Sequence, residues 1–174
     1  KHKMKNKIFI LYKDLYKKFG VSPSSVKARN TNQQNLRFKH LLNLIEIKKN
    51  DKVLDVGCGL GDLSYYLKKN KISCNYLGVD FVEEFIHAAT TLYGNNKTKF
   101  LKFDIDKNKF PKNYDWLILS GLFNDKTKNS EKFMYKIIKK MFLSSKKGIV
   151  FNGLTKYVDY EDKKLFYNYP DKIL

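Results

Sequence analysis

The chain has 174 residues, of which 43% are hydrophobic and 15% aromatic, and this is enough apolar material for one well-filled core. The sequence contains no uninterrupted apolar run of about 18 residues, and no secretory signal pattern follows its lysine-rich start. Two cysteines, Cys58 and Cys74, form at most one disulfide, which argues against a disulfide scaffold or a cysteine-rich zinc module. We therefore expect one soluble domain in the reducing cytoplasm, without a bound metal.

The formal charge of +18 at pH 7 comes from 35 Lys and Arg residues against 17 Asp and Glu residues. Such an excess of cations suggests nucleic acid as a partner. The only arginines, however, are Arg29 and Arg37, whereas proteins that recognise bases and phosphates rely on the bidentate guanidinium group of arginine. We therefore favour a solvated lysine coat and keep nucleic acid as a less favoured partner.

Two helices are predicted before the first strand. The first has one apolar face and ends before Gly20 and Pro23; the face comprises Ile8, Leu11, Leu15 and Phe19. The second starts near Gln33 and ends near Asn50, with an apolar set of Leu36, Leu41, Leu44 and Ile45. We expect residues 1–50 to cap the site of a core formed by residues 51–174.

From Lys52 onward, short apolar segments alternate with helical patterns. Strands are predicted at residues 52–56, 76–79, 99–103, 116–119 and 149–151. Helices are predicted at residues 62–69 and 81–93, followed by an amphipathic helix whose inward face holds Phe133, Met134, Ile137, Ile138, Met141 and Phe142. Such alternation is typical of a parallel sheet covered on both faces, so the predicted fold class is α/β, doubly wound.

A glycine-rich turn at residues 57–61 joins the first strand to the next helix. Glycines there let a ligand approach the backbone, and the helix N-terminus offers free N–H groups, although a tight turn without a ligand has the same pattern. Asp80 ends the second strand ~20 residues later, where a carboxylate can accept both hydroxyls of a ribose. Asp104 ends the third strand at the same edge of the sheet. These strand ends predict one nucleoside-sized site.

The turn differs from a dinucleotide fingerprint at one position. The pattern G-x-G-x-x-G requires a third glycine where this sequence has Asp62, and a carboxylate there repels a pyrophosphate. Asp55, inside the first strand, adds a second negative charge. A ligand that suits the site carries a ribose, a base and positive charge but no phosphate, and S-adenosylmethionine meets these conditions.

Residues 53–67 resemble motif I of class I S-adenosylmethionine-dependent methyltransferases. The segments that end at Asp80 and Asp104, and the segment at residues 114–124, follow in the order of that family. The resemblance covers roughly residues 33–153 and implies a Rossmann-like fold with S-adenosyl-L-methionine as cofactor.

The resemblance also implies cofactor-binding positions along the chain. They are Asp55, Gly57, Cys58 and Gly59 at the methionine end, Asp80 and Phe81 at the ribose and adenine, Asp104 and Ile105 at the adenine, and Ser120 and Gly121 beneath the methionyl part. Core packing is the alternative for Phe81 and Ile105, and helix capping is the alternative for Asp80 and Asp104. We interpret Cys58 as a small residue that fits between two glycines.

Methyl transfer from a sulfonium is an in-line displacement, which requires a nucleophile held about 3 Å from the methyl group and exclusion of water. The three histidines, His2, His40 and His87, have no assignable partner and are interpreted as structural or solvated. Asn124 and Asp125 leave the sheet beside the expected methyl group and are the candidates for substrate contact. We suggest that Arg37, on the second helix, pairs with the methionine carboxylate, the alternative being an ordinary surface residue.

The segment after the fourth strand bears on the substrate. Methylases of exocyclic base amines carry a proline-bearing tetrapeptide there, whereas this sequence has Ser120-Gly121-Leu122-Phe123. Residues 120–124, together with the helix at residues 12–20 and the helix that holds Arg37 and Phe38, resemble small bacterial methyltransferases of uncertain substrate. We expect methyl transfer to an oxygen or nitrogen nucleophile of a small molecule. An RNA or protein methyltransferase that uses the basic surface, and a non-catalytic S-adenosylmethionine-binding module, are the alternatives.

The C-terminal part departs from the family pattern. That pattern continues after the fifth strand with a helix and an antiparallel hairpin, whereas this sequence stops where the helix would start. We expect the hairpin to be lacking or truncated, which leaves the fifth strand as an exposed edge and favours pairing with a second copy. For the aromatic stretch at residues 157–169 we favour packing over a substrate lid.

Overall fold

The computed structural model of the chain describes residues 2–173, with side chains described from residue 8 onward. The helices are α1 (His2–Phe19), α2 (Thr31–Leu42), α3 (Asp62–Lys69), α4 (Glu83–Tyr93) and α5 (Ser130–Ser144), and 3₁₀ turns occur at Pro23–Val26 and Pro170–Lys172. The strands are β1 (Lys52–Val56), β2 (Asn75–Asp80), β3 (Thr98–Lys102), β4 (Tyr114–Leu119), β5 (Ser145–Phe151), β6 (Leu154–Thr155) and β7 (Tyr167–Asn168). Every predicted helix and strand is present, and β5 begins earlier than predicted because it follows α5 directly.

The main sheet has five strands in the order β3-β2-β1-β4-β5, and all neighbouring strands are parallel. The predicted doubly wound α/β fold is therefore confirmed. The chain builds outward from β1 to β3 on one side and then crosses to β4 on the other side. This change of direction places a crevice at the carboxyl ends of β1 and β4, where open α/β sheets bind their ligands.

Alternate side chains of the central strands face two apolar layers, one on each side of the sheet. Val53 of β1 and Ile118 of β4 face the layer beneath α2 and α3, which includes Phe38 and Leu63. The neighbouring residues, Leu54 and Leu117, face the layer beneath α5. Successive side chains of a strand point to opposite faces of the sheet, so strands buried on both sides are apolar at nearly every position.

The first helix packs through a face that matches the predicted one only in part, at the half-buried Ile8 and Leu15. Leu11 and Phe19 are 39% and 41% exposed, whereas Tyr12 and Tyr16 pack edge-on against Phe85 of α4. Apolar residues surround much of α1, so its periodicity is ambiguous, and the aromatic side chains of α4 select the face that is buried. We refer to residues 8–28, which comprise most of α1 and the following 3₁₀ turn, as the cap.

Three further residues predicted to face inward are exposed. Leu44 is 74% exposed because α2 ends at Leu42, before the predicted end of that helix. Leu36 is 53% exposed on α2, and Phe142 is 67% exposed in the last turn of α5. The rest of the predicted inward face of α5 is observed: Met134, Ile137 and Met141 are buried, and Phe133 and Ile138 pack against the same core.

The C-terminal segment, residues 154–173, crosses the carboxyl edge of the sheet. Its strands β6 and β7 pair with each other in parallel, and within residues 2–173 no strand pairs with the outer edge of β5. Phe166 and Ile173 pack against the core beneath α5, and Tyr135 donates a hydrogen bond to the Lys172 carbonyl. Packing is thus observed for Phe166, whereas Tyr160 is 78% exposed. Pairing of β5 with a second copy remains a prediction.

Helix α5 provides a test of the corrected core. We expect Ile137→Ala to lower the free energy of unfolding by about 2–5 kcal/mol, because the Ile137 side chain is fully buried and its truncation leaves a cavity in the core. Phe142→Ala, in the same helix, is the matched control and should change it by less than about 0.5 kcal/mol. Urea denaturation of both variants checks the pair, and equal losses would contradict the described orientation of α5.

Candidate functional site

A cleft of about 480 Å³ opens at the carboxyl ends of β1, β2 and β4. It is lined by all but two of the thirteen residues predicted from the sequence, namely Arg37, Asp55, Gly57, Cys58, Gly59, Asp80, Phe81, Ser120, Gly121, Asn124 and Asp125. The volume lies in the range of pockets that hold a small organic ligand. The tertiary structure therefore brings the predicted positions into one site, while the role of each residue remains a prediction.

The glycine turn has a backbone that a side chain would disturb. Gly59 has a φ of +53°, and a Cβ on it would lie 2.8 Å from Cγ1 of Val26 in the cap. The backbone N–H groups of Gly57 and Cys58 both donate to the Val79 carbonyl, which fastens the turn to the end of β2. Burial raises the pKa of the Cys58 thiol well above its usual range, as suits a small, unreactive residue.

Asp80 links the end of β2 to the glycine turn. One carboxylate oxygen accepts the Gly59 N–H at 3.0 Å, and the other accepts the Val82 N–H at 3.0 Å. Burial raises the pKa of this carboxyl group, and the backbone N–H donors oppose that rise. No side chain caps α4, whose N-cap is Val82, so the helix-capping alternative for Asp80 is not observed. Because each carboxylate oxygen can accept a second hydrogen bond, the contacts with the turn and the predicted ribose role can coexist.

Two more carboxylates line the same end of the cleft. Asp55 is buried and accepts a 2.5 Å hydrogen bond from the Tyr76 hydroxyl; desolvation raises its pKa from 3.8 to about 7. Asp62 accepts a hydrogen bond from Gln34 at 3.0 Å, and burial raises its pKa too. Within the described part of the chain, no cation pairs with Asp55, Asp62 or Asp80. This end of the cleft is therefore suited to a positively charged ligand.

The two predicted residues at the end of β3 do not line the cleft. Asp104 accepts hydrogen bonds from the backbone N–H groups of Asp106 and Lys107 at 3.0 and 3.2 Å, so it stabilises its own turn. Ile105 is 9% exposed and packs in the core beneath α5. The core-packing alternative describes Ile105, whereas Asp104 stabilises a turn and caps no helix; contact of either residue with an adenine remains a prediction.

Donor groups converge at the start of the segment after β4, residues 120–126, which we call the β4 loop. The Gly121 N–H donates to the Asn152 side chain at 2.7 Å, which fixes the loop to the end of β5. A Cβ on Gly121 would lie 3.7 Å from Nη1 of Arg37 and 4.0 Å from Nδ2 of Asn124. Arg37 forms no ion pair with any described residue. A carboxylate above Gly121 would therefore meet two N–H groups.

Two walls of the cleft contain residues that the sequence analysis did not name, although residues 1–50 were expected to cap the site. One comes from the cap and includes Tyr12, Val26 and Lys27, whose ammonium lies 2.7 Å from the Asp125 carboxylate. The other comes from the C-terminal segment through Leu154, Asp162, Lys164 and Leu165. The Phe166 N–H donates to the Asn124 carbonyl, and the Lys126 N–H donates to the Lys164 carbonyl, so this segment runs beside the β4 loop.

No periodic or spaced motif marks these walls, because they form only when distant parts of the chain meet. Among residues 8–173, whose side chains are described, there is also no cluster of three His, Cys, Asp or Glu side chains that could hold a metal ion. Nor does any helix in that part of the chain have the length and apolar character needed to cross a membrane.

Comparison with known proteins adds to this geometry. A family model described as a methyltransferase domain matches residues 47–161. Phosphoethanolamine N-methyltransferase of Plasmodium falciparum is 37% identical over 83 residues, which are 47% of this chain and 31% of the relative. The matches to the first three curated relatives span between 31% and 64% of those proteins' lengths.

Solved structures share the fold at low sequence identity. Human N-acetylserotonin methyltransferase, in complex with S-adenosylmethionine, has a TM-score of 0.55 and 18% identity, over 70% of this chain and 35% of its own. A TehB-like S-adenosylmethionine-dependent methyltransferase from Corynebacterium glutamicum has a TM-score of 0.51 and 18% identity, over 66% of this chain and 60% of its own. At this level of sequence identity, these similarities show a shared fold.

The raised pKa of Asp55 predicts a pH dependence of stability. Because the pKa is about 7 in the folded protein and 3.8 ordinarily, the folded state keeps a proton that the unfolded chain loses between about pH 4 and 7. This group's contribution to the free energy of unfolding therefore falls as the pH rises through that window, by up to about 1.4 kcal/mol per pH unit.

Asp55→Asn should remove that contribution. We expect the variant to gain stability relative to the unsubstituted protein as the pH rises from 5 to 8, as measured by urea denaturation at several pH values. Parallel pH profiles for the two proteins would contradict the assignment of a high pKa to Asp55.

Proposed function

The chain belongs to the methyltransferase-domain family of class I, S-adenosylmethionine-dependent enzymes, and we propose that it transfers a methyl group to an oxygen or nitrogen nucleophile of a small molecule. The observation that carries this proposal is the cleft at the carboxyl ends of β1, β2 and β4. The lining of the cleft is continuous. It consists of the glycine turn, the carboxylates of Asp55, Asp62 and Asp80, which form no ion pair with a described residue, and the β4 loop that faces them.

The charges of the cleft support the placement of the cofactor. Asp55 and Asp62 supply negative charge near the glycine turn, where the sulfonium and ammonium groups would be stabilised. Asp80 would accept the ribose hydroxyls, and Phe81 would pack near the adenine. Arg37, beside Gly121, would pair with the methionine carboxylate through its bidentate guanidinium.

The same charges favour a small acceptor over a polyanion. Although the whole chain carries +18, the cleft is lined by five carboxylates and three cations: Asp55, Asp62, Asp80, Asp125 and Asp162 against Lys27, Arg37 and Lys164. An acidic cleft of about 480 Å³ that also holds the cofactor leaves little room and no net attraction for nucleic acid. The name of the Plasmodium falciparum relative, a phosphoethanolamine N-methyltransferase, agrees with a small acceptor.

The chain's own residues would act mainly by positioning and by excluding water. Ser120 and Gly121 would lie beneath the transferred methyl group, while the Asn124 amide and the Asp125 carboxylate would orient the acceptor. The cap and the C-terminal segment would shield the reacting atoms from solvent. The bound cofactor would supply the electrophilic methyl group.

Two further proposals concern the setting of the enzyme. Cys58 and Cys74 are both free thiols, which supports a cytoplasmic location. The second proposal is that a second copy pairs with the outer edge of β5, because within residues 2–173 no strand pairs with that edge. Sedimentation analysis tests this association: we expect a dimer, and a monomer at every protein concentration would contradict the proposal.

Substitution of the two strand-end acids tests the cofactor site. Asp80→Ala should weaken S-adenosylmethionine binding by about 1–3 kcal/mol, because it leaves ribose hydroxyls unpaired. Asp104→Ala is the control and should change binding by less than about 0.5 kcal/mol, because Asp104 lies outside the cleft lining. Calorimetry measures both, and unchanged affinity of the Asp80 variant would refute its proposed role.

The acceptor class is tested by release of labelled methyl groups from the cofactor. We expect turnover with pools of small metabolites and none with bulk RNA or protein, since the acidic cleft excludes polyanions. Methylation of RNA that falls steeply with salt would favour the first alternative. Tight cofactor binding without turnover on any pool would favour a non-catalytic binding module.

A further inference from the structure

The cap rests directly on the glycine turn. Within it, the buried Ser25 hydroxyl donates to the Gly20 carbonyl at 2.6 Å, which ties the 3₁₀ turn to the end of α1. The next residue, Val26, meets the backbone at Gly59. A ligand bound at the glycine turn would therefore lie beneath the cap.

On the far side of the cleft, the cap is joined to the β4 loop by one polar contact. The Lys27 ammonium lies 2.7 Å from the Asp125 carboxylate and 5.7 Å from the centre of the Tyr12 ring. Within the described residues, no other hydrogen bond or ion pair connects residues 8–28 to residues 120–126. The side chains of Lys27 and Asp125 are 38% and 29% exposed, so salt can reach this ion pair.

Both partners are held in place by their own surroundings. Lys27 has a φ of +56°, and its backbone N–H donates to the carbonyls of Pro23 and Ser24. Few residues with a Cβ adopt this left-handed conformation, which aims the side chain across the cleft. Asp125 forms a backbone bridge with Leu165, and its carbonyl accepts a hydrogen bond from the Ser130 hydroxyl. The cap, the β4 loop and the C-terminal segment thus meet at Asp125.

We infer that Lys27 is a positioning residue whose ion pair with Asp125 holds the cap closed over the cofactor end of the cleft. The pair breaks when the product S-adenosylhomocysteine leaves and forms again when fresh cofactor is bound. This inference rests on the proposed function, because it concerns exchange of the cofactor at the same site. It assigns to the cap a role in cofactor residence in addition to its packing on α4.

The dissociation rate of labelled S-adenosylhomocysteine, chased with unlabelled compound, tests the inference. Lys27→Asn removes the charge but suits the left-handed backbone, so the cap should remain folded. We expect the rate to rise about three- to tenfold, as for the loss of a partly shielded ion pair. Added NaCl should raise the rate of the unsubstituted protein and leave that of the variant nearly unchanged.

Lys13→Ala is the matched control. It breaks the ion pair at 2.8 Å between Lys13 and Glu84, which joins the cap to α4 outside the cleft lining, and should change the rate by less than about twofold. The exchanged pair, Lys27→Asp with Asp125→Lys, should restore slow dissociation. A rate for Lys27→Asn within twofold of the unsubstituted protein, or an equal rise in Lys13→Ala, would overturn the inference. Failure of the unsubstituted protein to bind S-adenosylhomocysteine would instead overturn the proposed function itself.

Discussion

The buried carboxylate of Asp80 is the interaction on which the cleft depends. It accepts one N–H from the glycine turn after β1 and another from the residues that lead into α4, so it joins two adjacent strand ends. Because Asp80 is 7% exposed, its charge is stabilised mainly by these fixed backbone donors. Hydrogen bonds within the protein therefore hold the unusual backbone of the glycine turn, and a ligand that enters meets a preformed surface.

A second feature is the contrast between the surface and the cleft. Lysines give the chain its high positive charge, but at the site that charge is reversed by carboxylates on β1, β2, the start of α3, the β4 loop and the C-terminal segment. Burial makes the carboxylates of Asp55, Asp62 and Asp80 costly to ionise, and a bound cation would lower that cost. Ligand binding and protonation are thus coupled, while the lysine coat acts on solubility and on nonspecific association.

The cap and the C-terminal segment give the cleft its individual shape. The five parallel strands and their helices form a scaffold that many proteins share, and function resides in what is added at its carboxyl edge. Here α1 packs through Tyr12 and Tyr16 onto α4, and the C-terminal segment lies beside the β4 loop through backbone hydrogen bonds. The cap therefore packs on a helix and the C-terminal segment on a loop, so both shape the mouth of the cleft without altering the sheet.

The sequence by itself determined the strands, the order of the helices, and the positions of the glycine turn and the strand-end acids. These features are local, since a buried parallel strand is apolar along its length and a tight turn needs glycine at fixed positions. Only the tertiary structure decided which face of α1 is buried, that Phe142 is exposed, and that Asp104 stabilises its own turn. It also decided that Lys27 meets Asp125 and that Asp162 and Lys164 line the cleft. These contacts join residues far apart in the chain, and they depend on packing angles and loop paths that leave no periodic trace in the sequence.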